Sequence, residues 1–159
     1  KFSIAQERGK GEKASPNAAV SQDIGTTTVS ITYGRPGLKG RDLSTLAAPN
    51  KVWRTGANEA TAITVSSDVM FGGEKVAAGT YSLYSIPGKN WTFILNKKQS
   101  WGTQYDEAED LIRVPAAVTA MDAPSMEWFT IYFDNLSTKK AHLNLLWGTT
   151  KAAIPITVE

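Results

Sequence analysis

The chain has 159 residues, 42% of them hydrophobic, with 17 Lys and Arg against 15 Asp and Glu. That length suits one domain with one hydrophobic core; no apolar run nears the roughly 18 residues that span a bilayer as a helix, and the lack of cysteine excludes disulfides, thiol catalysis and Cys-bound metals. The net charge of +2 lies in residues 1–13, where Lys1, Arg8, Lys10 and Lys13 face Glu7 and Glu12; the rest of the chain is neutral and offers no electrostatic footprint for nucleic acid or an anionic membrane.

Ser3-Ile4-Ala5 ahead of Gln6 places small residues at the −3 and −1 positions of a signal-peptidase site. The expectation is an exported protein, periplasmic or secreted, although an arbitrary boundary accounts for the same residues. Residues 1–17 are polar and rich in Gly, Lys and Glu, and read as a flexible tail ahead of a single domain over 18–159.

Strand patterns follow. Ala18–Ile24 is a candidate strand, and Thr26–Tyr33 alternates, with Val29, Ile31 and Tyr33 on one face. Residues 34–59 form a long connection broken by Gly34, Pro36, Gly37 and Gly40, with one helical turn at Leu43–Ala48 stopped by Pro49. Ala60–Ser66 resumes the strand pattern. Val69–Phe71 and Glu74–Val76 flank Gly72-Gly73, a hairpin signal. Thr80–Ile86 and Trp91–Asn96 flank Pro87-Gly88-Lys89-Asn90, a turn sequence; the second is apolar on both faces and reads as central in its sheet. Lys97–Asp110 is polar and loop-like. Leu111–Ala117 contains Pro115, which predicts an edge strand. Glu127–Phe133, Ala141–Trp147 and Lys151–Val158 complete the pattern, and Trp91, Trp128 and Trp147 on these strands read as core. About ten short strands and no convincing helix predict an all-β, single-domain β-sandwich of two mostly antiparallel sheets.

The 33–61 stretch carries the densest pattern. Tyr33-x-Arg35-Pro36, Lys39-Gly40-Arg41 and Val52-Trp53-Arg54-Thr55-Gly56-Ala57-Asn58-Glu59-Ala60-Thr61 resemble the bacterial family called domain of unknown function 2911. Ala78-Gly79-Thr80-Tyr81-Ser82-Leu83, Ile86-Pro87-Gly88, Trp91, Asn96, Trp101-Gly102 and Glu127-Trp128 agree with it. The resemblance runs from about Pro16 to the C-terminus. It implies a bacterial, usually exported, all-β protein, and it implies no reaction. Members often carry Pro-Tyr-Gly-Lys ahead of Val-Trp-Arg, where this chain has Pro49-Asn50-Lys51 and so lacks the aromatic.

Chemistry concentrates in the same stretch. The chain has five arginines, and Arg35, Arg41 and Arg54 crowd together here. A guanidinium is the planar fork that pairs with carboxylate or phosphate. One reading is a pocket walled by Arg35, Lys39, Arg41, Trp53, Arg54, Asn58 and Glu59. The other is internal: Glu59, Asp42 and loop carbonyls accept from the arginines, with Arg54 and Glu59 as a buried tie that specifies the path of the loop. Trp101 and Tyr105 lie in a polar run, where an exposed ring would stack on a sugar and a folded-back ring would cap the core.

Catalytic signals are weak. His142 is the only histidine and reads as outward-facing; no zinc spacing, EF-hand or Gly-x-Ser-x-Gly elbow occurs. Asp106-Glu107-Ala108-Glu109-Asp110 reads as a solvated acidic loop, with weak Ca²⁺ affinity as the minor alternative. No metal or cofactor is expected. The reading preferred from sequence is a non-enzymatic binding module for a small polar or sugar-like ligand or a protein partner. A hydrolase using Glu59 with Arg54 or Lys39, and a scaffold with no small-molecule site, are the alternatives.

Overall fold

The computed structural model of the protein describes residues 8–99 and 104–159. Among the described residues there are eleven strands: β1 (Asn17–Ile24), β2 (Thr27–Gly34), β3 (Thr61–Val65), β4 (Val69–Phe71), β5 (Glu74–Val76), β6 (Gly79–Ile86), β7 (Trp91–Asn96), β8 (Asp110–Ala120), β9 (Met126–Asp134), β10 (Lys140–Gly148) and β11 (Thr150–Thr157). One helical turn, α1, spans Leu43–Leu46, capped by Asp42, whose carboxylate accepts from the Ser44 amide. Among the described residues no helix is long and apolar enough to cross a membrane.

The expected sandwich is corrected to one nearly barrel-shaped sheet. Its strands run β1-β2-β3-β6-β7-β8-β11-β10-β9, all antiparallel, and the β4–β5 hairpin joins at β11. The reason lies in β8. Its first part pairs with β7 and its last four residues, Ala117–Ala120, pair with β11, so one strand joins what would otherwise be two sheets. Alternation alone does not separate the two architectures, because each needs one apolar face per strand. Pro115 sits in the part of β8 that pairs only with β7, so β8 is not an edge strand although Pro115 occupies an edge-like position within it.

The ends of the sheet meet through the chain just after β2. Gly37 bridges Trp128, the Phe129 amide donates to Pro36 O (2.9 Å), and the Leu38 amide donates to Glu127 O (3.0 Å). Arg35 Nε donates to Phe129 O (2.8 Å), and the Ile131 amide donates to the Tyr33 hydroxyl (3.0 Å). Side chains and loop backbone thus satisfy β9 polar groups that strand pairing leaves open.

The inward faces fill the barrel with aliphatic and aromatic side chains, Val29, Ile31, Ile63, Leu83, Phe93 and Leu143 among them. β7 is central, as its two apolar faces predict; Ile94 packs on the outer side with Ala60 and Tyr84. At the end where β2 stops and β3 starts, Trp53 plugs the barrel. It stacks on Trp147 (ring centroids 5.8 Å apart, planes 13° apart) and meets Phe129 (5.0 Å) and Trp91 (6.2 Å) edge-on. Aromatic pairs of this kind add about 0.5–1.5 kcal/mol each beyond the area they bury. Trp128 does not join them. It is 39% exposed on the outer face of β9, which corrects the expectation that all three strand tryptophans are core.

Candidate functional site

The 35–60 connection closes the Trp53 end of the barrel and is pinned at three points. Trp53 forms a bridge with Ser85: its amide donates to Ser85 O (2.7 Å) and the Ser85 amide returns a bond to Trp53 O (2.9 Å). Beyond Trp53 the backbone turns hard. Thr55 (φ 58°) and Asn58 (φ 65°) are left-handed, and Gly56 is at φ 149°. Thr55 is β-branched and fully buried, so this conformation costs on the order of 1–3 kcal/mol. Its hydroxyl meets Ser85 Oγ (2.9 Å), and its carbonyl accepts from Thr61 Oγ1. The third pin is a close backbone approach, with the Ala57 amide on Gly34 O (3.3 Å). A Cβ on Gly34 would run into the Ala57 carbonyl, and one on Gly56 would lie 2.9 Å from Gly34 O. Glycine is required at both by contact rather than by taste for turns.

Glu59, at 3% exposure, is the anchor of a polar knot. The Gly9 amide donates to its Oε2 (2.6 Å), while Arg8 Nη2 and Lys13 Nζ each stand 3.6 Å from Oε1. Arg8 also donates to Asn17 Oδ1 and to the carbonyls of Ala57, Glu59 and Ala60. Burial alone would raise the Glu59 carboxyl; the amides of Gly9 and of Glu59 itself, with the charges of Arg8 and Lys13, outweigh it and hold the group below its ordinary value. Burial lowers the Arg8 guanidinium despite the attraction of Glu59. Asn58 Nδ2 donates to Ser15 O (3.3 Å), extending the same attachment. Residues 8–16 form no strand, as a tail would, yet they are tied to the barrel end at Arg8, Gly9, Lys13 and Ser15.

The expected Arg54–Glu59 tie is therefore not formed; the partners of Glu59 are Arg8 and Lys13. Arg54 enters no ion pair among the described residues, and its buried Nε has no hydrogen-bond acceptor. It lines a cavity of about 220 Å³ with Arg41, Ser15, Leu46, Trp53 and Trp147. Among the described residues no acid contributes to the lining, so two guanidinium groups meet a small space beside the Trp53–Trp147 stack. Arg41 is exposed and donates to Leu38 O and Gly37 O (both 2.9 Å), which positions it and leaves part of its fork free.

The other predicted site residues lie elsewhere. Arg35 is satisfied within the protein, by Phe129 O and Thr130 Oγ1 (2.8 Å each). Lys39 is exposed, and its amide, not its ammonium, is engaged, by Glu127 Oε2 (2.8 Å). Tyr105 belongs to a separate network: its hydroxyl donates to Asp110 Oδ2 (2.7 Å) and accepts from Arg113 Nη2 (2.9 Å), and its ring packs 4.7 Å from Tyr84. Burial and the bond to Asp110 push the phenol up to about 12. Asn96 Nδ2 reaches Asp110 Oδ1 (2.8 Å) in the same network. Trp101 lies outside the described residues. Thus Arg41, Trp53 and Arg54 share the cavity, Asn58 and Glu59 serve the knot, and Arg35, Lys39 and Tyr105 stand apart from both.

Sequence reasoning missed Arg8 and the part Ser15 and Trp147 play. For Arg8 a signal existed. Arginine is scarce in this chain, and the argument applied to the three loop arginines applies equally to a fourth in the tail. Ser15 and Trp147 carry no such mark, because their place depends on the closure of the barrel. Among the described residues no group of three or more His, Asp or Glu stands together to hold a metal ion, and His142 contacts Asn135 on the outer face (3.0 Å).

A model of the family described as "Protein of unknown function (DUF2911)" matches residues 15–156. No curated protein and no solved structure matches the chain.

Proposed function

This chain belongs to the DUF2911 family, and from that premise we propose that the protein is a non-enzymatic binding module whose ligand is a small anion held at the barrel end between Arg54 and Arg41. The observation that carries the reading is the state of Arg54. A buried donor without a partner costs on the order of 1–3 kcal/mol. Here that donor belongs to a guanidinium that lines a cavity with a second guanidinium and, among the described residues, no acid. An anion that draws the fork into the cavity relieves the cost and gains charge-assisted hydrogen bonds. The stacked rings of Trp53 and Trp147 and the strained Thr55-Gly56 turn hold the site in shape. Glu59 gives little support to a hydrolase, because a general acid needs a raised pKa and an open approach, whereas this carboxyl is buried, ion-paired and lowered. The small residues Ser3 and Ala5 support an exported setting, periplasmic or secreted.

The test is thermal unfolding in acetate, phosphate and sulfate against chloride at matched ionic strength. At a concentration ~100-fold above Kd a true ligand adds about 2.7 kcal/mol. Stabilisation that Arg54→Ala abolishes supports the reading. No stabilisation of the wild-type protein by any anion favours the scaffold.

A further inference from the structure

The cavity that holds Arg54 has a neighbour. A second hollow of about 520 Å³ lies at the same barrel end, bounded by α1, the 87–89 turn and the start of β11. Arg41 lines both hollows. The two also divide the same backbone segments between them: Leu46 and Trp147 border the inner one, while Ala47 and Gly148 border the outer. Arg41 is therefore the side chain through which a ligand seated on Arg54 would reach the outer hollow.

The chemistry of the two spaces differs. The inner space, at about 220 Å³, is less than half the size of the outer one and suits a small head group. Among the described residues its charges are cationic only. The outer space carries one acid and one base besides Arg41, Asp42 and Lys89, and four hydroxyls, on Ser44, Ser125, Thr149 and Thr150, beside the edge of Trp91. Asp42 caps α1 through Oδ1 and keeps its second oxygen as an acceptor. Asp42 and Lys89 offset one another there, so the outer hollow selects for hydroxyls, which find both donors and acceptors, rather than for a second charge.

Building on the anion reading above, we propose that the ligand is a sugar acid: one carboxylate on the Arg54–Arg41 pair, and a neutral hydroxylated body in the outer hollow. The fork of Arg54 accepts carboxylate and phosphate alike; carboxylate is preferred because, among the described residues, no lysine ammonium lines the inner cavity to add the point charge that a phosphate dianion would draw on.

The experiment is calorimetric titration of the whole chain with glucuronate, glucose, acetate and glucose 1-phosphate, in buffer of fixed ionic strength. The expected result is glucuronate at least tenfold tighter than acetate, no detectable glucose binding, and glucose 1-phosphate weaker than glucuronate. Thr149→Trp, which fills the outer hollow, brings glucuronate down to the acetate level. Acetate binding that depends on Arg54, with glucuronate no tighter, overturns the sugar acid and leaves the anion reading standing. Glucose 1-phosphate tighter than glucuronate also overturns it. No binding of any anion overturns both.

Discussion

Five residues apart on one loop, Glu59 and Arg54 are held in opposite ways. Glu59 is nearly inaccessible, with two cations 3.6 Å from Oε1, which accepts no hydrogen bond, an amide on Oε2, and a carboxyl lowered by them. Arg54 is half-buried, with Nε sealed and partnerless, beside a cavity whose other charge is Arg41. The knot at Glu59 fixes where the chain goes. The cavity at Arg54 keeps a charge in reserve at a place the knot defines. A single loop therefore supplies both the structural use of a buried charge and the binding use, and only the partners distinguish them.

Removing the knot is expected to have the largest effect. Glu59→Ala strands Arg8 without its counter-charge; breaking a buried pair from one side costs about 3–5 kcal/mol, and chemical denaturation should find a loss in that range, with faster hydrogen exchange at the Gly9 amide. A loss under about 1 kcal/mol would show that Glu59 is no anchor and would erase the contrast. The same carboxyl sets an acid limb. Its folded-state pKa lies below the unfolded value of about 4.3, so its contribution is complete above that pH and drains away as the pH falls through the folded pKa. Glu59→Gln should flatten this limb in a stability–pH profile. An unchanged limb would assign it to other carboxylates.

Gly34→Ala comes next. The added methyl meets the Ala57 carbonyl, which is backbone and cannot rotate away; overpacking of this kind costs about 1–3 kcal/mol. Because that contact pins the loop at Ala57, between Arg54 and Glu59, anion binding should weaken along with stability. Weakened stability with intact binding would mean that the cavity forms independently of the knot.

A smaller effect sharpens the boundary of the site. Tyr105→Phe removes a bond to a carboxylate and leaves one Arg113 donor without its partner, a cost of about 1–2 kcal/mol. It should leave anion affinity unchanged, since Tyr105 lies in another network. A change in affinity would extend the site to that network.

Much of this fold is legible in the residues themselves. The alternation of Val29, Ile31 and Tyr33, the Gly72-Gly73 hairpin and the Pro87–Asn90 turn each specify local geometry. The closing of the sheet is not local. It depends on β8 passing from β7 to β11 and on Pro36–Leu38 reaching β9, pairings between residues up to about ninety positions apart. The site shows the same division. The arginine-rich loop marks the right end of the barrel, and Arg41, Trp53 and Arg54 do meet there. Pairing Arg54 with Glu59 fails because charge and proximity in sequence do not reveal that Arg8 comes back to fill that place. Trp128 misleads for a related reason: a strand shows that residues alternate, while the side that faces water is decided by the closure.

The most direct measurement is the stability of Arg54→Ala in anion-free buffer. A guanidinium held in reserve with an orphaned buried donor does not stabilise the fold, so the variant should be no less stable than the wild-type protein and up to about 1–3 kcal/mol more stable, and only the wild-type protein should gain stability when a carboxylate ligand is added. A loss of about 3 kcal/mol without any ligand would contradict this, because it would make Arg54 a structural tie of the same kind as Glu59.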